Sequence, residues 1–277
     1  MSTYRLNSTG RAPVAPAYKA YSARNYREIP QISRLGDEQL FDIDVVSQIF
    51  PFKVDSFVVD HLIDWDRVPD DPMFALTFPQ RGMLRDEDYA TVADALRKGV
   101  PAAQLRPTVE AIRASLNPHP AGQIELNVPT LDGERLQGVQ HKYRETVLFF
   151  PSQGQTCHAY CTYCFRWPQF TGTSALRFAS RETGALVDYL RAHPEVTDVL
   201  YTGGDPMIMS ARNLASYVTP LLEADLPGLA QIRIGTKALS YWPYRFVTDP
   251  DAPALLALFR RIVASGRHLA IMAHLNH

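Results

Sequence analysis

The chain has 277 residues, of which 46% are hydrophobic and 21% charged, and its formal net charge is −1. That balance suits a globular chain long enough to bury a sizeable core. It offers no electrostatic basis for a nucleic-acid or anionic-membrane partner. No apolar run approaches the roughly 20 residues of a membrane span. Residues 1–26 lack the apolar stretch of a secretory signal, so the expected location is cytoplasmic.

Residues 1–34 read as an extended N-terminal arm, interrupted by Pro13, Pro16 and Pro30, with Tyr4, Tyr18, Tyr21 and Tyr26 available to pack on the body. Residues 35–120 read as a mainly helical region. Its helices are expected from Asp37, as the cap, to about Phe50, from about Val54 to Ile63, from Asp86 with Tyr89, Val92, Ala93 and Leu96 on one face, and from about Ala102 to Ser115. The prolines from Pro69 to Pro79 predict loop.

From residue 121 to 277 strand and helix signals alternate. Short β-like segments are expected at Ile124–Val128 and Val147–Phe150. Helix Glu182–Ala192, strand Asp198–Tyr201, helix Arg212–Glu223, strand Gln231–Ile234, helix Ala252–Ser265 and strand Leu269–Ala273 follow. The two later helices carry apolar residues at i, i+3, i+4, i+7 and i+8, and Gly266 ends the last one. This rhythm predicts an α/β fold with four parallel strands, whose C-terminal ends are where ligands bind.

The three cysteines of the chain all fall between residues 157 and 164, spaced C-x3-C-x2-C as Cys157, Cys161 and Cys164. An odd, clustered set is a poor disulfide framework. Thiolates suit an iron–sulfur cluster or zinc. Three thiols leave one iron of a four-iron cluster without a protein ligand, open to an exogenous one. The alternatives are a Cys3His zinc site completed by His158 or His141, acting as a non-catalytic interaction module, and a trio of inert thiols. Further strand exits carry Thr202-Gly203-Gly204-Asp205-Pro206, Arg233-Ile234-Gly235-Thr236-Lys237 and His274-Leu275-Asn276-His277.

The cysteine loop, with Tyr163 before its last thiol, resembles the signature of the radical SAM superfamily. Phe165-Arg166, Asp71-Pro72-Met73-Phe74 through Gly82, His141-Lys142-Tyr143, Gly203-Gly204-Asp205, Arg233 to Thr236 and the segment from His274 to His277 resemble its lysine 2,3-aminomutase group, over roughly residues 68–277. The resemblance implies a partial (βα) barrel and a [4Fe-4S] cluster on the three cysteines. The cluster chelates S-adenosylmethionine and cleaves it reductively to a 5′-deoxyadenosyl radical, for 2,3-amino migration on an amino acid. It implies that Tyr163 borders the cofactor, that Gly203, Gly204 and Asp205 bind its amino group, that Arg233, Thr236 and His274 lie near cofactor or substrate, and that Arg166 holds the substrate carboxylate. It also implies pyridoxal phosphate and a reducing donor such as flavodoxin or ferredoxin.

Several features depart from the group. Thr162 and Trp167 stand where basic residues are common, Asp205 where Glu is frequent, and Pro151–Thr156 is a long approach to the first cysteine. The family's pyridoxal-phosphate lysine lies in a segment beyond residue 277, and Lys237 is a poor substitute. Four strands of an expected six βα units are found, so the coding sequence is expected to continue in frame. The open sheet edge is expected to favour a homo-oligomer. Radical chemistry without pyridoxal phosphate is the alternative activity.

Overall fold

The computed structural model describes residues 17–117, 126–172 and 177–276. Strand β1 (Ala20–Ser22) pairs antiparallel with β2 (Lys53–Asp55). Helices α1 (Asp37–Ile49), α2 (Pro72–Thr77), α3 (Asp86–Arg97) and α4 (Ala102–Leu116) follow in this first part of the chain. A hairpin of β3 (Thr130–Leu131) and β4 (Glu134–Arg135) leads to β5 (Val139–Tyr143) and β6 (Thr146–Phe149). Then come α5 (Gly184–Ala192), β7 (Asp198–Tyr201), α6 (Ala211–Glu223), β8 (Gln231–Thr236), α7 (Ala238–Tyr241), α8 (Ala252–Ala264) and β9 (His268–Ala273).

The central sheet has the order β5-β6-β7-β8-β9. β6 to β9 are mutually parallel, and β5 is antiparallel to β6. The register aligns Phe149, Tyr201, Ile234 and Ile271, so all four parallel strands exit at one end. In β8, Ile232, Ile234 and Thr236 are buried while Gln231, Arg233 and Gly235 are half-buried, the period-2 pattern of a strand with one covered face. α5, α6 and α8 cover that face with Leu186, Leu190, Leu214, Val218, Leu221, Leu255 and Ile262. Ser210 caps α6 by accepting from the Asn213 amide at 3.2 Å. Gly266, at φ +82, ends α8 in the left-handed region. The result is a mixed α/β arrangement.

Several expectations are corrected. From Ala20 onward the N-terminal segment carries a short strand and two tight helical turns, and Tyr21, Tyr26 and Ile29 pack on the body against Phe52, Val54 and Val58. Gly36, not Asp37, is the cap of α1, and its amide donates to Gln39 Oε1 at 3.0 Å. The helix expected at Val54–Ile63 starts only after β2, at Ser56, and runs as a short helix whose Val58–Leu62 part is π-helical. Pro72 opens a helix instead of preventing one, because it occupies the first turn and Asp71 accepts from the Phe74 amide at 2.8 Å. β5 was read only as a motif. The expected segment Ile124–Val128 begins outside the described residues, and its described part is a turn and coil. No helix among the described residues is long and apolar enough to cross a membrane.

Candidate active site at the strand exits

The cysteine loop leaves the sheet after β6 and is tied down on two sides. On the sheet side, the Asp205 amide donates to Thr156 O at 2.7 Å and to Gly154 O at 3.0 Å. Gly203 takes φ +140, and a Cβ there would lie 2.1 Å from the Gln155 side chain. A Cβ on Gly204 would lie 2.4 Å from Thr156 O. The two glycines are therefore required by the close approach of this turn to the segment entering the cysteine loop. On the other side, Tyr160 N donates to Lys53 O at 2.9 Å, Thr162 N to Leu76 O at 2.8 Å and Thr162 Oγ1 to Ala75 O at 3.0 Å. β2 and α2 thus hold the middle of the loop.

Between these supports lies a cavity of about 270 Å³. Cys157, Cys161 and Cys164 line it together with Tyr163, Gly203, Gly204, Asp205, Thr236 and His274, so the strand-exit motifs converge. Tyr163 is 58% exposed and forms an open wall. Asp205 is buried, and its carboxylate accepts from Thr236 Oγ1 at 2.6 Å, Met207 N at 2.9 Å and Lys237 N at 2.8 Å. It clips the exit of β7 to that of β8. Burial raises its pKa, while these donors pull the other way.

Burial pushes the Cys157 thiol up well above its usual pKa, helped by the Asp205 charge, and burial also raises Cys164. Both are neutral thiols near pH 7 without a metal. Binding a soft metal as thiolate therefore releases protons. His274 is pushed down by burial and by Lys237. His277 lies outside the described residues.

Two expected site residues stand elsewhere. Arg233 pairs with Asp198, its Nε 2.9 Å from Oδ1 and its Nη2 on Oδ2. Its side chain is on the strand face opposite Thr236, toward the strand beginnings, so it does not line the cavity. Arg166 donates to Gln169 Oε1 at 2.6 Å and lies over the Phe150 ring at 4.3 Å, also outside the cavity wall. Burial lowers its pKa to about 10.

The candidates for a fourth zinc ligand divide. His141 has both ring nitrogens engaged, by Tyr189 OH at 2.6 Å and Arg144 O at 3.2 Å. His158 is buried at the cavity, with neither ring nitrogen hydrogen-bonded and Nδ1 3.8 Å from Asp55 Oδ2. Burial lowers its pKa to about 3 and raises that of Asp55 to about 7. Among the described residues no group of three His, Cys, Asp or Glu side chains is placed to hold one metal ion. Cluster thiolates bind different irons, so they need not converge on a point.

Sequence reasoning passed over Tyr241, whose hydroxyl lies 3.8 Å from Cys161 Sγ, and Arg245, which is buried and fixes the turn after Asp205 through Met207 O and Met209 O, each at 2.9 Å. No motif marks either residue; both are set by tertiary packing.

No protein-family model matches the chain. It is 26% identical over 246 residues to a putative L-lysine 2,3-aminomutase of Aquifex aeolicus, covering 89% of this chain and 54% of that protein. It is 35% identical over 112 residues to the L-lysine 2,3-aminomutase of Bacillus subtilis, covering 40% of this chain and 22% of that protein. It is 27% identical over 169 residues to that of Acetoanaerobium sticklandii, covering 61% and 37%. The chain spans about half the length of the Aquifex relative and less of the other two. By sequence the chain is thus similar to several lysine 2,3-aminomutases over part of their length.

Proposed function

We propose that this chain is the radical-generating part of an aminomutase-like enzyme acting on an amino acid, and that its four parallel strands belong to a partial (βα) barrel of radical SAM type. The observation that carries the reading is the convergence of Cys157, Cys161 and Cys164 with the exits of β7, β8 and β9 on one cavity. The donor set fits a [4Fe-4S] cluster with one iron open to S-adenosylmethionine. Bound there, the two supply reductive cleavage of a sulfonium to methionine and a radical that abstracts hydrogen from substrate.

The protein's own part is placement and exclusion of water. The loop supports from Lys53, Ala75, Leu76 and Asp205 fix the thiols. Gly203 and Gly204 keep the β7 exit flush against the loop entrance. Tyr163 and His274 line the exposed side of the cavity. Asp205 acts in this reading chiefly by positioning Thr236 and Lys237. Arg166 gripping a substrate carboxylate requires its guanidinium to leave Gln169. A one-electron donor such as a flavodoxin or ferredoxin completes the proposal.

Pyridoxal phosphate does not fit the described residues. Of the five lysines of the chain, Lys237 alone lines the cavity, and its amine is already held by Cys161, Tyr163 and Asn276. Radical chemistry without that cofactor is the second reading. Borohydride reduction with added pyridoxal phosphate should leave no modified lysine on this chain, and a labelled Lys237 would contradict that expectation. The main test is anaerobic reconstitution followed by reduction with S-adenosylmethionine. Release of 5′-deoxyadenosine and methionine is expected; a cluster-loaded chain that leaves S-adenosylmethionine intact would contradict the proposal.

A further inference from the structure

Lys237 follows β8 and its side chain crosses the cavity toward the cysteine loop. Nζ lies 2.8 Å from Cys161 Sγ, 2.5 Å from Asn276 Oδ1 and 3.4 Å from Tyr163 OH. An ammonium has three donors, and three acceptors surround this one. Asn276 Nδ2 donates to Tyr163 OH at 2.8 Å, which locks two of the acceptors to each other. The backbone is fixed as well, since Lys237 N donates to the buried Asp205 carboxylate at 2.8 Å. Asp205 in turn is tied through its own amide to Thr156 O, at the entrance of the cysteine loop. The cation is therefore held on the sulfur from two directions.

We infer that Lys237 is a positioning residue that sets the reduction potential of the cluster through Cys161. This rests on the cluster reading above. Hydrogen bonds to a cluster's sulfurs are among the determinants of its potential. The reduced cluster carries one more negative charge, so a cation on a ligand thiolate stabilises the reduced state and makes reduction easier. Asn276 and Tyr163 act by holding the ammonium in place. This role uses the amine as a hydrogen-bond donor, which is why it is unavailable as a nucleophile.

The test compares the reconstituted 277-residue chain with Lys237→Met, Lys237→Arg and Asn276→Ala, reading iron content first and then the midpoint potential by EPR-monitored titration. With iron content equal, Lys237→Met should cut the reduced-to-oxidised ratio at fixed potential at least tenfold, a negative shift of about 59 mV for one electron. Lys237→Arg should stay near the parent, and Asn276→Ala should shift in the same direction by less. A Lys237→Met chain that titrates with the parent overturns the inference and leaves the cluster reading standing. A parent chain that takes up no iron overturns both. Should Lys237→Met alone fail to load, Asn276→Ala decides: a negative shift supports the role, and a potential equal to the parent's overturns it.

Discussion

The two sides of the cavity differ in how they are built. On the sheet side, β6 to β9 bury one face under α5, α6 and α8 in a single large core that includes Val147, Val199, Ile232 and Leu255. On the other side, residues 17–117 contribute two smaller cores. One of these packs Phe52, Val54, Phe74 and Phe78 with Ala159 of the cysteine loop and Tyr241 of α7, and Cys161 lies against it. The sheet side positions the loop entrance and the strand-exit residues. The first part of the chain holds the middle of the loop, where Cys161 sits. The cysteine loop therefore depends on two separate cores, and damage to each should read out differently.

The largest effect is expected at Phe78, which is buried and has ring contacts with Phe52, Trp65 and Phe74. Phe78→Ala should cost about 3–5 kcal/mol and Ile232→Ala, in the sheet core, about 2–5 kcal/mol. Iron uptake per folded chain separates them: it should fall in Phe78→Ala and hold in Ile232→Ala. Equal uptake in both would break the comparison.

Next is Asp55, buried behind the loop, with its Oδ1 accepting from Val58 N at 3.0 Å and with His158, Lys53 and Asp60 as its charged or titratable surroundings. Its pKa rises from 3.8 unfolded to about 7 folded, chiefly through burial. The folded state then binds more protons than the unfolded one inside that window, so stability falls as pH rises from about 4 to about 7. His158, 3.8 Å away, contributes with the opposite sign, so Asp55 is read from the difference between parent and Asp55→Asn. That difference should grow in the variant's favour by about 2–4 kcal/mol across the window, measured by denaturant unfolding at several pH values. A difference that stays flat would place Asp55 outside the buried core of the loop.

Gly204→Ala probes the other support. The added methyl meets the Thr156 backbone, and relief of that overlap should cost about 1–3 kcal/mol. Far-UV circular dichroism should be kept while iron uptake falls. The smallest effect is expected far from both supports, at the exposed pair of Asp94 on α3 and Lys98 just past its end, 2.6 Å apart. Lys98→Ala should change stability by about 0.5 kcal/mol or less, with iron uptake untouched.

The same contrast explains what could be read from the chain. β7 lies where Asp198–Tyr201 was expected, and α6 and α8 agree to within a residue, because their apolar residues face one continuous core at regular spacing. The convergence of the cysteine, Gly-Gly-Asp and His274 motifs was legible for the same reason: parallel strands in register exit at one end. β5 was not legible, since Val139 alone of its five residues is buried and the alternation is too weak to see. The β3–β4 hairpin had a signal that was passed over, Asp132-Gly133, both at positive φ. β1 and β2 are three residues each and pair across thirty residues of chain, which local pattern cannot reveal. The motif alone does not reveal that strand alternation puts Arg233 on the opposite face from Thr236. Asp198, on the neighbouring strand, then captures Arg233.

The central claim is that the three thiols hold an iron–sulfur cluster. Metal and acid-labile sulfide analysis of the anaerobically purified chain tests it most directly. Iron and sulfide are expected in equal amounts, about four of each per chain, lost together in Cys161→Ser. Stoichiometric zinc without sulfide would contradict it.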